Sequence, residues 1–290
     1  MKSRLFTVLT FCVLVAPFVV AAKDERGPAA IVSELQGSTT VKEPGKAQRT
    51  LEIYDWLSEG ATITVGKGSR VVLVLVNGAR FALKEHARVA VLRAGLPTSA
   101  DVERLPAFPP LPVVAPIASA VVPPISAATR VRGSSIRNLY PSGHSTLADG
   151  TTLRFDGPGG VTGYLVTIED QTRAPVWRHE TEHGAVVVPP DVLEPGRSYR
   201  WRVTAIGIAE PPLNATGTFV TLPASTARTR IALRSGLAAE ELSSVILQAR
   251  VDEQLGLLRE AREALAAAAA QAPQDGSLQR MLARIEKQLQ

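Results

Sequence analysis

Apolar and polar positions along the chain change rhythm several times, and each rhythm predicts a different kind of structure. Between residues 29 and 95, short runs rich in Val, Ile, Leu and Thr (AAIVSELQGSTTV, ATITV, RVVLVLV, ARFALK, ARVAVL) alternate with Gly37, Gly60, Gly66, Gly68 and Asn77-Gly78. Runs of that length bounded by glycine predict strands. Asn-Gly between two apolar runs predicts a hairpin that joins RVVLVLV to ARFALK through a two-residue turn. Residues 135–222 give a second set: LRFDG, GYLVTIED, APVWRHET, AVVVPP, SYRWRVTAIG and GTFVTL. There Tyr199, Trp201 and Val203 alternate with Arg200, Arg202 and Thr204, one face buried and one wet. Trp177 is expected in the same core.

From residue 236 the period lengthens to that of a helix. Ala-rich sequence studded with Glu and Arg runs to Gln271, is broken at Gly256 and Pro273, and resumes to about Leu289. Glu253, Arg259 and Glu260 are expected on its solvated face. Between the two β sets, residues 104–131 hold seven prolines in the 25 positions from 104 to 128. Proline at that density withholds N–H donors from a sheet and favours an extended, semi-rigid spacer. The same composition would also suit a partner's proline-recognising groove.

The first residues supply an address. Lys2 and Arg4 precede an apolar stretch over 5–20, and Val20 and Ala22 are small enough for a signal-peptidase site. Residues 1–22 are expected to be a signal peptide; the alternative is a retained anchor, for which about 20 apolar residues are usual. Cys12, the one cysteine, would leave with the peptide, so the mature chain would hold neither a disulfide nor a thiol nucleophile. The formal net charge of +5 is dispersed, without a Lys/Arg stripe interleaved with aromatics, which excludes an evident nucleic-acid footprint.

Candidate chemistry is sparse. Residues 179–183 read HETEH, which matches H-E-x-x-H, the pattern of two zinc-binding imidazoles with a Glu to activate water. That chemistry needs a helix, where positions i and i+4 share a face. Pro175-Val-Trp before the motif and Gly184-Ala-Val-Val-Val after it predict a strand or hairpin end instead. In a strand His179 and His183 stand about 13 Å apart, too far to share one metal. The segment from Gly60 to Lys67 has one residue too many for a P-loop, and Gly143-His144-Ser145 lacks the second glycine of a nucleophile elbow. His86 is expected to be solvated at a strand turn. No catalytic residue, cofactor site or metal ligand is therefore assigned.

Three resemblances add to this. LSEGATITVGKGSRVVLVL followed by VNGARFALKEHARVAVL resembles the FecR domain: Gly60, Ile63, Gly66, Ser69, Leu73 and Gly78 match the family pattern in order. Ala61, Val65 and Ala87 depart from its usual Asp, Thr and Ser. The resemblance implies a β fold in an exported or envelope protein; it does not extend to the cytoplasmic sigma-factor-binding part of the signalling members. Residues 135–222 resemble a fibronectin type III sandwich, carried by the strand from Tyr164 to Glu169, the corner from Leu193 to Tyr199 and the strand that follows. That resemblance implies a corner tyrosine, Tyr199, whose hydroxyl returns to the backbone. In the tail, Ala249, Gly256, Ala261, Leu265, Ala268 and Pro273 fall where a tetratricopeptide repeat places its small residues, turn glycine, large hydrophobe and terminal proline. Asp252 replaces that repeat's usual tyrosine. One degenerate repeat, about 242–275, would be followed by a capping helix. Such repeats need about three copies to stand alone, so this one is expected to pack within the chain; pairing with another chain or binding a partner helix are the alternatives.

The expected architecture is mainly β: a signal peptide (1–22), a FecR-like domain (29–95), a proline-rich linker (104–131), a fibronectin-like sandwich (135–222) and a helical tail (236–290). The expected role is that of a non-catalytic, exported envelope protein that binds another envelope protein or acts as a scaffold. Attachment to peptidoglycan or another glycan is the alternative. A zinc hydrolase using His179, Glu180 and His183 is the alternative from a different class.

Overall fold

A computed structural model describes residues 27–112, 135–207, 213–238 and 241–289; the expected signal peptide and residues 113–131 of the expected linker lie outside the described residues. The protein is mainly β, its sheets almost wholly antiparallel, with helices toward the C-terminus.

The first nine strands are β1 (Pro28–Gln36), β2 (Thr39–Lys42), β3 (Arg49–Thr50), β4 (Trp56–Ser58), β5 (Thr62–Val65), β6 (Arg70–Leu75), β7 (Arg80–Leu83), β8 (Arg88–Ala90) and β9 (Val102–Leu105). They form two sheets, ordered β4-β1-β6-β7-β9 and β3-β2-β5-β8. Val32, Val41, Ile63, Val65, Leu73, Leu83 and Val89 fill one apolar core between them. Strand β6 breaks the alternation rule, with every residue from Val71 to Leu75 buried. The reason is that both its faces are covered. Leu73 and Leu75 point into this core, whereas Val74, paired with Ile31 of β1, joins an apolar cluster contributed by the helices.

Two expectations change here. The β6–β7 hairpin turns through residues 76–78 rather than through Asn77-Gly78 alone. The Leu75 N–H donates to Ala79 O and the Gly78 N–H to Leu75 O, both at 2.8 Å, with Gly78 at φ +86°. This is the longer loop that places glycine in the left-handed region. Two of its carbonyls are then used: Gly78 O accepts from Phe108 N–H and Val76 O from Leu111 N–H, each at 2.9 Å. The second change follows from the first. Strand β9 pairs with β7, so the first β region runs past residue 95, and residues 106–112 lie on the hairpin rather than spanning open solvent. The prolines do withhold donors, but Phe108 and Leu111 between them do not. The Arg80 guanidinium sits 4.2 Å above the Phe108 ring, and Leu111 is buried.

The second β region holds β10 (Arg137–Tyr140), β11 (His144–Thr146), β12 (Thr152–Asp156), β13 (Gly163–Glu169), β14 (Pro175–Thr181), β15 (Ala185–Val187), β16 (Ser198–Ile206) and β17 (Asn214–Thr221). They form two sheets, β10-β12-β15 and β11-β17-β16-β13-β14, around a core of Leu153, Phe155, Val166, Ile168, Trp201, Val203 and Phe219. Tyr199, Trp201 and Val203 are buried, and their alternating neighbours are not. The Tyr199 hydroxyl accepts the Glu194 N–H at 2.7 Å, and the Trp201 indole donates to Pro141 O at 2.8 Å. Trp177 packs against this core as expected. It is only half-buried, because β14 is the last strand of its sheet, with a neighbour on one side alone.

Four helices follow: α1 (Ala224–Gly236), α2 (Leu242–Gln254), α3 (Leu258–Gln271) and α4 (Gly276–Gln288). The tail therefore begins earlier than residue 236. Helix α1 shows no apolar stripe, since it buries only Leu233 and Arg230. Gly256, at φ +77°, separates α2 from α3, and its carbonyl accepts the Ser145 N–H of β11 at 3.2 Å. Asp275 caps α4 by accepting the N–H groups of Ser277 and Leu278. Ile246 and Ala249 of α2 pack against Leu265, Leu278 and Ile285 of the other helices. The opposite side of α2, Leu247 and Val251, meets Ile31, Val74, Leu111, Leu222 and Leu233, so residues from both β regions share one cluster with the helices. Among the described residues no helix is long and apolar enough to cross a membrane.

Candidate functional site

The zinc-like motif is dispersed along an edge. His179 and Glu180 are consecutive residues of β14, which places them on opposite faces of the sheet. His183 lies beyond the strand, in a turn where its N–H donates to the Thr181 hydroxyl at 3.0 Å. The His179 ring stacks on Trp177, with centroids 5.4 Å apart and planes 8° from parallel. Among the described residues no group of three His, Cys, Asp or Glu is placed to hold a metal ion. The other singled-out residues are equally separate. His86 is exposed in a turn at φ +67°, and His144 is half-buried in β11 beside the Tyr140 ring, 6.0 Å away between centroids.

A more organised polar surface covers the outer face of the β3-β2-β5-β8 sheet. Inward positions Val41, Ile63, Val65 and Val89 are buried, so strand alternation turns Thr40, Lys42, Thr62, Thr64 and Arg88 outward. Register assembles them into rows: Thr50, Thr40, Thr64 and Arg88 lie opposite one another across four strands, and Lys42, Thr62 and Ala90 form the next row. The loop after β2 forms a wall along one side, and together they outline an open cleft. Gln48 from that loop donates to the Thr40 hydroxyl at 2.9 Å. The wall is fixed from beneath by Glu43. Burial alone pushes this carboxyl up, but Lys46 and Arg49 (3.2 Å) hydrogen-bond it and hold it below the ordinary carboxylate range. Lys42 and Arg88, in contrast, have no carboxylate partner among the described residues. The face thus presents hydroxyls at strand spacing and two uncompensated cations at opposite corners. The alternation in TTVK and TITV shows these residues in the sequence; only the register reveals that they align.

A third polar group lies inside the molecule. Arg230 of α1 clasps Asp252 of α2 with two bonds, 2.6 Å and 2.7 Å, both side chains nearly inaccessible. Glu260 of α3 is close by. Burial pushes its carboxyl up, Arg259 and Arg230 oppose this, Asp252 reinforces it, and one carboxyl oxygen has no hydrogen-bond partner. Tyr140, Thr151, Arg259 and Glu260 line a cavity of about 20 Å³ there, room for roughly one water. Glu253, at the far side of α2, is ion-paired with Arg250 and with Arg284 (3.2 Å). Glu253 and Glu260 are therefore structural, not the solvated face that helical periodicity suggests.

No family model matches the chain, and no curated protein does. Among solved structures, a cell surface anchoring domain is 22% identical, covering 25% of this chain and 96% of its own length at a TM-score of 0.23. A beta-1,2-glucanase from Parabacteroides distasonis is 11% identical, covering 84% of this chain and 39% of its own length at a TM-score of 0.24. At such scores neither likeness bears on fold or function.

Proposed function

We propose that the protein is a non-catalytic, exported envelope protein that binds another envelope protein, using the outer face of the β3-β2-β5-β8 sheet, with the FecR-like and fibronectin-like regions and the repeat-like helices serving as its frame. The observation that carries this is the pair of uncompensated cations, Lys42 and Arg88, set at corners of a grid of threonine hydroxyls. A surface that is polar, regular and left with unpaired charge is suited to a complementary polar partner. The basic, apolar and small-residue order of the first 22 residues supports export. The same hydroxyl grid also supports the second reading, attachment to peptidoglycan or another glycan.

In-cell crosslinking of the tagged protein, followed by identification of what co-purifies, tests the proposal. The expected result is a recurrent envelope protein that is lost when Lys42→Glu and Arg88→Glu are combined, with thermal unfolding unchanged. Retention of the protein by insoluble cell wall, with no protein partner and the same charge dependence, would transfer the face to a glycan. A partner indifferent to both substitutions would refute the role of this face.

A further inference from the structure

Strand β14 leaves the sandwich with an edge that can pair. It is seven residues long and ends the order β11-β17-β16-β13-β14, so one side bonds to β13 and the other carries no strand among the described residues. An edge of this kind offers a row of free N–H and C=O groups to any strand of suitable pattern. Val176, 41% exposed, and the half-buried Trp177 add apolar surface at one end. Arg178 and Glu180 are both exposed, and neither forms an ion pair among the described residues.

We propose that β14 pairs antiparallel with β14 of a second copy of this chain, about a twofold axis through His179. The order of charges selects that occupant and that register. Antiparallel partners on one face must share parity, so only registers centred on a residue keep side chains on matching faces. Centred on His179, Arg178 of each copy stands opposite Glu180 of the other, giving two opposite-charge pairs. Centred on Arg178, two arginines meet; centred on Glu180, two glutamates meet. Like charges directly opposite are destabilising, so charge disfavours the two neighbouring registers and favours the one centred on His179, which also lies at the middle of the Arg178–Glu180 pair. On the other face, Trp177 comes to lie opposite Thr181 of the second copy, and the two His179 rings adjoin at the axis. Pro175, which has no N–H, and the turn after Thr181 limit the pairing to this segment. The two five-stranded sheets then continue as one.

Sedimentation of the purified protein over a concentration series tests this, with Arg178→Glu, Glu180→Arg and the double reversal R178E/E180R. The expected result is a reversible dimer. Each single reversal puts like charges opposite one another twice and raises its dissociation constant roughly tenfold or more, and the double reversal, again self-complementary, restores it. Both substituted positions are exposed, so folding is expected to be unaffected, which circular dichroism checks. A monomer throughout the series would overturn the proposal and leave the edge to a foreign strand. A dimer that ignores the single reversals, or that the double reversal fails to restore, would overturn it as well.

Discussion

Asp252 receives two hydrogen bonds from the Arg230 guanidinium, at 2.6 Å and 2.7 Å, where only 3% of the aspartate and 9% of the arginine side chain meet solvent. This pair ties a helix that has almost no apolar stripe to the helices that follow it.

Removing one partner of this pair is expected to be costly. Asp252→Ala should lower unfolding stability by about 3–5 kcal/mol, because it leaves a buried guanidinium uncompensated. Replacing both, as in Arg230→Met with Asp252→Leu, should recover most of that loss. Chemical denaturation of the two variants checks both halves of the expectation.

The Tyr199 hydroxyl bond to the Glu194 N–H sets the corner before β16. Tyr199→Phe keeps the ring and its stacking on Phe219, 5.5 Å between centroids, but deprives that amide of its acceptor. A loss of about 1–2 kcal/mol is expected, read by thermal unfolding with the β signature intact below the transition.

Gly78 is constrained twice over. Its φ is +86°, and an added Cβ would stand 2.1 Å from the Phe108 carbonyl oxygen. Gly78→Ala should therefore destabilise by more than the roughly 1 kcal/mol typical of a left-handed position alone. It should also raise hydrogen exchange at the Phe108 and Leu111 amides, since both bond to this loop. Exchange unchanged at those two amides would contradict the account of the docked segment.

Glu260 gives stability a slope with pH. Burial raises its carboxyl above the ordinary value of 4.5, so the folded chain holds this proton to higher pH than the unfolded chain does. Its contribution to stability is greatest below 4.5 and diminishes as pH rises through the folded value. Glu260→Gln removes that slope and should stabilise the protein at neutral pH. Unfolding free energies of both proteins across the acid-to-neutral range would show the curves diverging upward in pH; parallel curves would refute it.

Much of the frame is legible in the letters because it rests on local rules. Tyr199, Trp201 and Val203 alternate as a half-buried strand must, Asn77-Gly78 marks a reversal, and Gly256 and Pro273 mark where helices stop. What escapes local rules is burial imposed from a distance. Helix α1 is held by an ion pair with a residue 22 positions away, which no periodicity encodes. Glu253 and Glu260 look solvated until Arg284, Arg250 and Tyr140 close over them. The start of the proline segment, residues 106–112, shows no docking signal in the letters because the carbonyls that accept from Phe108 and Leu111 lie in a hairpin about 30 residues earlier. The candidate face is intermediate: the outward threonines show in the alternation, but their alignment with Lys42 and Arg88 needs strand pairing.

The bond from Arg250 to the Tyr54 carbonyl, 3.2 Å long, joins residues separated by 196 positions. A chain synthesised from its N-terminus presents the strands around Tyr54 long before the helix that covers them exists. Closing so distant a contact is slow, and until it forms, Ile31, Val74 and Tyr54 offer an uncovered apolar strip. Truncations that end before α2 would strand the protein in that half-finished state, prone to clumping, so α2 acts as the cover that closes the N-terminal strands.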